Sequence, residues 1–136
     1  MTIENAQALE AIFGTWPSFH DAEVMRVVLD RSGDEGPTLE AVIHVFRMTQ
    51  EIDSRGQFVL THHTEVALRF VGIVLERLQW FNSQNALNSL EIDEVDLSGH
   101  DGRRFRVSMP SSFGMEAEFE CVRIVVATVR PFEPAV

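Results

Sequence analysis

Hydrophobic positions follow a helical period near the N-terminus and a two-residue period along most of the remaining chain. The apolar residues with roughly helical spacing are Leu9, Ile12, Phe13 and Trp16. Thr2 can cap this short helix, and Gly14 with Pro17 supplies its end. Because the apolar stripe is narrow, we expect one short N-terminal helix that packs on a sheet.

From residue 22 onward β-branched residues dominate, and the alternation of apolar and polar positions predicts strands. Segments 23–29 and 39–48 flank the turn-rich polar segment 30–37, so we expect a hairpin with a long loop. Segment 58–71 shows the alternation of a half-buried strand. Segment 73–81 fits a strand or a short helix, because its apolar positions also match helical spacing; the strand is favoured.

The second half of the chain predicts further strands. Segments 86–97 and 104–109 flank a tight turn at 98–102, so they form a second hairpin. Segments 115–120 and 122–129 are the last two predicted strands. The strands therefore number about seven or eight, all antiparallel.

These elements predict an α+β, mainly β fold in a single domain, residues 1–136, with its strands in hairpins or a meander. The chain is 45% hydrophobic and 24% charged, which suits one compact soluble domain. There is no βαβ rhythm and no GxGxxG or GxxxxGK[ST] motif. Rossmann and P-loop architectures are thereby excluded.

The charge balance narrows the classes of partner. Lys and Arg together number 11 against 21 acids, for a net charge of −10, and no Tyr is present. Every base is Arg, so Schiff-base catalysis by Lys is excluded, and no basic face for direct nucleic-acid binding is visible. A basic partner protein is favoured. With no membrane-length apolar run and no secretory signal, we expect a cytoplasmic protein.

Few residues point to catalysis, a cofactor or a metal. Cys121 is the single cysteine, so an internal disulfide and a Cys-based zinc site are excluded, and its apolar surroundings suit a small buried thiol. His20, Asp21 and Glu23 can converge with strand histidines on a metal, but no spacing demands it. The structural alternative is a turn, in which Asp21 bonds backbone N–H groups and His20 packs against Trp16. We expect no catalytic residue, cofactor or metal.

Acidic residues concentrate on two predicted strands of the second half. They are Glu91, Asp93, Glu94, Asp96, Glu116, Glu118 and Glu120. If the two strands are neighbours, these side chains form a negative sheet face. Such a face is either a docking surface for a basic protein or a solvated surface that deters edge-to-edge aggregation.

Three segments resemble the immunity protein 50 family of bacterial polymorphic toxin systems. They are FGTWPSFHDAEV at 13–24, FVL at 58–60 with HTEVALRF at 63–70, and FNSQN at 81–85, and the likeness covers most of the chain. The motif residues are Trp16, Phe19, His20, Asp21, Glu23, Phe81, Asn82, Gln84 and Asn85.

The resemblance implies a small cytoplasmic protein that binds a toxin encoded beside it and neutralises it stoichiometrically, without catalysis. Because many such toxins act on nucleic acids, a toxin with a basic surface is expected. The contact is made by the acidic strands or, alternatively, by Trp16 and Phe19 as aromatic anchors; Trp16 also suits the core, and Asn side chains at 82–85 suit backbone capping. Two alternative hypotheses stay open: a binding or structural domain of unknown ligand, for which a homodimer through a sheet edge is one form, and an enzyme.

Overall fold

The computed structural model describes residues 3–95 and 104–133, which hold one helix and ten strands in two antiparallel sheets. The elements in chain order are α1 Gln7–Phe13, β1 Glu23–Asp30, β2 Thr38–Ile52, β3 Phe58–Val71, β4 Val74–Gln79, β5 Ala86–Leu87, β6 Glu91–Val95, β7 Arg104–Met109, β8 Ser111–Phe113, β9 Glu116–Cys121 and β10 Arg123–Pro131. The α+β, mainly β class is confirmed. The prediction of seven or eight strands is wrong, because two very short strands and one chain crossing were not foreseen.

The two sheets pack through their inner faces around one core. The six-stranded sheet has the order β10-β3-β2-β1-β5-β8, and the four-stranded sheet has the order β4-β9-β7-β6. Alternate residues of β7 and β9 are buried, as expected for strands with one face on the core. Phe70 of the first sheet meets Phe119 of the second edge to face, with ring centroids 5.0 Å apart. This aromatic contact lies where the sheets join.

The N-terminal helix packs against the core through Leu9 and Phe13, one turn apart. It ends at Gly14, whose φ of 82° places it in the left-handed region and whose N–H bonds the carbonyl of Glu10. Its N-cap is Ala6, which makes no side-chain capping bond. The predicted cap, Thr2, lies outside the described residues.

Several predicted strands are confirmed and one is not. The strand at 58–71 is β3, and segment 73–81 forms a strand, β4, rather than a helix. The predicted strand at 86–97 is two strands in different sheets, β5 and β6, because the chain crosses between the sheets after Leu87. The β6–β7 hairpin is confirmed, and its predicted turn at 98–102 lies outside the described residues.

One long antiparallel ladder bends to serve both sheets. Strands β3 and β10 pair in the first sheet, and their continuations β4 and β9 pair in the second. The bend lies at Gly72, where φ is +68°, and at Val122, whose N–H bonds the carbonyl of Val71 at 2.9 Å. A Cβ at Gly72 would lie 2.6 Å from Cγ2 of Val122. Glycine is therefore required here by both conformation and space.

We predict that Gly72→Ala lowers the free energy of unfolding by more than about 2 kcal/mol, because a left-handed alanine is strained and its Cβ overlaps Val122. Gly56→Ala is the matched control: its φ is +78°, but no heavy atom lies within 4 Å of the added Cβ. It should cost only the conformational strain, about 1 kcal/mol. Urea denaturation measures both, and equal losses would refute the steric part of this prediction.

Candidate functional site

The two motif segments, residues 16–24 and residues 81–85, lie against each other where the sheets cross. The N–H of Asp21 bonds the carbonyl of Leu87 at 2.8 Å, and the N–H of Leu87 bonds the carbonyl of Ala22 at 2.9 Å. The N–H of Val24 bonds the carbonyl of Asn85 at 2.9 Å. We call residues 81–85 the Asn corner, because asparagine side chains organise it. The structure therefore brings Glu23 and Val24 of the first segment against Asn85 of the second.

Asn85 is the centre of this corner and is only 2% exposed. Its Oδ1 accepts the N–H groups of Asn82, at 2.9 Å, and Met115, at 3.1 Å. Its Nδ2 donates to the carbonyls of Asn82, at 2.7 Å, and Val24, at 3.4 Å. The four bonds use both donors and both acceptor lone pairs of the amide. Asn85 thus ties the start of β1 to the turns that enter β5 and β9.

The rest of the corner depends on Asn85 and on glycine. Asn82 accepts the N–H of Gln84 through Oδ1 and donates through Nδ2 to the carbonyl of Trp80. Glu23 accepts the backbone N–H of Asn85 at 2.8 Å. At Gly114, with φ +74°, a Cβ would lie 2.1 Å from the carbonyl oxygen of Gln84. The prediction that asparagine side chains cap backbone groups here is confirmed.

The aromatic motif residues pack on the core. Phe19 is buried, and Trp16 is half-buried with its ring centroid 5.6 Å from that of Phe19. This arrangement agrees with the expectation that Trp16 packs against the core, and it leaves little of Phe19 free to contact a partner. Phe81, by contrast, is 49% exposed.

The His20–Asp21 turn differs in detail from the expectation. His20 is exposed and its Nδ1 lies 2.8 Å from the carbonyl oxygen of Asn88. The aromatic ring that packs beside Trp16 is that of Phe19, tilted by 45°. Ser18 Oγ accepts the N–H of His20. Asp21 has a φ of 63°, a conformation that Asp tolerates, and its carboxylate lies 3.5 Å from His20 Nε2.

An open cleft of about 270 Å³ lies beside the motif loop, with Thr15, Pro17 and His20 on one side and Phe46 and Met48 on the other. This volume is below the roughly 300–1,000 Å³ usual for small-molecule pockets. The guanidinium of Arg47 in its wall is already bonded to the carbonyl of Phe13. We therefore assign no ligand to this cleft.

Two strand histidines come together, but without further metal ligands. His44 Nε2 lies 2.9 Å from His63 Nδ1, and the His44 ring stacks on Phe132 with centroids 3.7 Å apart. His62 lies near Phe13 instead, so one of the adjacent histidines joins the cluster. Residues 3–95 and 104–133 contain no group of three or more His, Cys, Asp or Glu side chains that could hold a metal.

The two acidic segments are not neighbours. Strand β7 lies between β6 and β9 and places Arg106 opposite Asp93 on one side and Glu120 on the other. Glu94 pairs with the buried Phe105 and so faces away from Glu91 and Asp93. Asp96 lies outside the described residues. The condition under which a continuous negative face was expected, that the two acidic strands are neighbours, is therefore not met.

The outer face of the four-stranded sheet is a mixed network with more acids than bases. Glu118 bonds Arg77 at 3.0 Å and also bonds Arg106. Arg106 further bonds Glu76, and these bonds raise the pKa of Arg106 and lower that of Glu76. The acidic side chains of this face are Glu76, Glu91, Asp93, Glu116, Glu118 and Glu120; the basic ones are Arg77, Arg104 and Arg106.

Cys121 is buried in the core, as expected for a small apolar thiol. Burial raises its pKa to about 12, while the charge of Arg104 acts weakly in the opposite direction. The thiol is thus protonated near neutral pH, which is unsuited to nucleophilic chemistry.

We predict that Asn85→Ala lowers the free energy of unfolding by about 3 kcal/mol, because the N–H groups of Asn82 and Met115 lose their acceptor. Asn85→Asp should also destabilise, since its second oxygen would face the carbonyls that Nδ2 now bonds. Asn88→Ala, at an exposed side chain, is the matched control. Urea denaturation of all three variants tests the role of Asn85, which an unchanged Asn85→Ala protein would disprove.

A second prediction concerns pH. Burial, and secondarily the charge of His63, lower the pKa of His44 from 6.5. The folded protein thus binds this proton more weakly than the unfolded chain, so the contribution to stability is complete above about pH 6.5 and falls as the pH drops below it. We expect His44→Gln to reduce the loss of stability between pH 7.5 and pH 5.5 measured by denaturation. An identical loss in both proteins would show that His44 is not its source.

Within the described residues no helix is long and apolar enough to cross a membrane. No curated protein and no solved structure matches the chain. The family model for Immunity protein 50 matches residues 5–132, a span that includes α1, both motif segments and all ten strands. The chain belongs to the immunity protein 50 family.

Proposed function

We propose that this protein is a cytoplasmic immunity protein that binds a cognate toxin and neutralises it by stoichiometric contact, without catalysis. The observation that carries the proposal is the family match over residues 5–132, nearly the whole chain. The family suggests a role in toxin systems, and the two motif segments are present and packed together as one corner.

The charge of the chain supports a basic partner. The net charge is −10, and the outer face of the four-stranded sheet carries more carboxylates than guanidinium groups. A toxin that acts on nucleic acid needs a basic surface for phosphates, and an acidic inhibitor can occupy that surface. We propose that the outer face steers the toxin during association.

The acids of the outer face differ in how far neighbouring arginines balance their charge. Glu116, Glu118 and Glu120 all lie within 4.0 Å of Arg77 or Arg106, so their charges are partly balanced. Glu91 and Asp93 lie on β6, at the outer edge of the same sheet, and are exposed. These two β6 carboxylates are thus expected to contribute most to steering per residue.

Co-expression tests the proposal. The toxin gene beside this gene is expressed alone and with the immunity gene, and growth and complex formation are measured. We expect the toxin to stop growth, this protein to restore it, and the two to co-purify in a 1:1 ratio. Toxicity that persists on co-expression, or the lack of any complex, would contradict the immunity function and favour a binding domain for another ligand.

We predict that reversing Glu91 and Asp93 to Arg slows association with the toxin about tenfold at low salt and flattens its salt dependence. The two residues are preferred to the β9 acids, because reversing Glu118 would also break its bonds to Arg77 and Arg106.

The matched control reverses Glu10 and Glu51 to Arg. Both are exposed and lie on α1 and β2, away from the outer face, and the change in net charge is the same. Stopped-flow association rates separate a local from a global charge effect. Equal slowing by both double variants would assign the effect to net charge, and no slowing by the β6 variant would remove the steering role.

A further inference from the structure

Two strands leave an edge unpaired on the same side of the molecule. In the described chain, β5 pairs with β1 only at Glu23, so the second edge of β1 has no strand beside it from residue 25 to residue 30. β4 is an outermost strand of the four-stranded sheet and pairs only with β9. An open groove of about 180 Å³ separates them, and we call it the seam. It is lined by Val27, Leu29, Leu78 and Phe81.

The seam exposes side chains that belong to the inner faces of the sheets. Leu29 is opposite Leu39, which is fully buried, yet Leu29 is 51% exposed. Leu75 on β4 is opposite the buried Phe119 and is itself exposed. Residues that follow the core-facing alternation are thus uncovered here, because no described strand lies between β1 and β4. An uncovered apolar stripe of this kind is typical of a binding groove.

A strained aromatic residue, Trp80, lies in the chain between Leu78 and Phe81, which line the seam. Trp80 follows β4, is 65% exposed and has a φ of +65°. This conformation is unfavourable for a bulky residue, and the Asn corner holds it, since Asn82 Nδ2 bonds the Trp80 carbonyl. The strained backbone at Trp80 places an exposed tryptophan next to the exposed Phe81 in the chain, and this tryptophan adds nothing to the packing of the core. Exposed aromatic side chains in fixed positions are common hot spots of protein interfaces.

We infer that the seam receives an extended segment of the toxin, which pairs with the free edge of β1 or β4 and places apolar side chains in the groove beside Trp80 and Phe81. This inference rests on the proposed function. Pairing with an exposed sheet edge gives backbone hydrogen bonds, and the groove selects alternate side chains.

Charge identifies the occupant as a basic partner rather than a second copy of this chain. β4 is also the border of the outer face, where Glu76 and the β9 acids exceed the arginines in number. A partner strand docked in the seam would bring its neighbouring surface over these acids. A second copy carries the same net charge of −10 and would be repelled.

Trp80→Gly is the decisive variant, because structural and binding roles predict opposite results. Glycine tolerates the positive φ, and little buried area is lost at a 65% exposed side chain, so thermal stability should be unchanged or higher. Binding to the inactivated toxin from the adjacent gene, measured by calorimetry, should weaken about tenfold or more. Leu29→Glu, which puts a charge into the seam, should weaken binding similarly.

Phe58→Ala is the matched control. Phe58 is 52% exposed and begins β3 at the far end of the β2–β3 hairpin, where other apolar side chains are also exposed. It should leave the affinity unchanged. Weakening by Phe58→Ala but not by the seam variants would move the contact to the hairpin and overturn the inference.

The outcomes separate the inference from the proposed function. If the unaltered protein binds and neutralises the toxin and the seam variants do so equally well, the seam inference fails while the immunity function stands. If the unaltered protein neither binds nor neutralises it, both fail. Sedimentation should show a monomer of 15.4 kDa. A dimer dispersed by Leu29→Glu would assign the seam to a second copy and overturn the inference.

Discussion

The buried amide of Asn85 is the interaction on which the meeting of the two sheets depends. The chain crosses between the sheets before β5 and again before β9, and at each crossing one N–H, that of the exposed Asn82 and that of the buried Met115, bonds a side-chain acceptor. Asn85 supplies it and donates to two carbonyls in return. A side chain with fewer bonding groups would leave polar atoms unpaired in a buried place, where each costs about 1–3 kcal/mol. The corner therefore fixes how β1, β5 and β9 are placed relative to one another.

The same corner explains why one side of the molecule stays open. Because β5 is only two residues long and turns away after Leu87, it covers β1 at Glu23 and nowhere beyond. The corner also ends β4 at Gln79 and holds Trp80 in the left-handed conformation. Phe70 and Phe119 are fully buried in the core, whereas Leu29 and Leu75, which point to the same side of their sheets as core residues, are exposed. The Asn corner thus stabilises one end of the seam, and the early end of β5 beside it leaves the apolar side chains along the seam exposed.

Local patterns in the sequence predicted the elements better than their arrangement. The alternation in segment 58–71 located β3 to the residue, since a long half-buried strand repeats its signal several times. The two-residue strand β5 has no period to detect, so the crossing after Leu87 was missed, and the sequence left open whether the acids at 91–94 lie beside those of β9. The local turn signal predicted that β7 pairs with β6. The pairing of β7 with β9, and with it the bond between Arg106 and Glu118, depends on a strand order that no local pattern encodes. The turn-forming role of Asn82 and Asn85 was accessible because it is local.

The motif residues and the proposed contact residues have different tasks. Asn85, Glu23 and Phe19 hold the framework, and their side chains are buried or bonded within the chain. This framework specifies the fold and leaves the seam open, but it does not by itself select a partner. Selection then requires side chains that the framework presents without using them, such as Trp80 and Leu29. Phe81 belongs to both groups, since it opens the Asn corner and lines the groove, and there the corner meets the surface proposed to recognise the toxin.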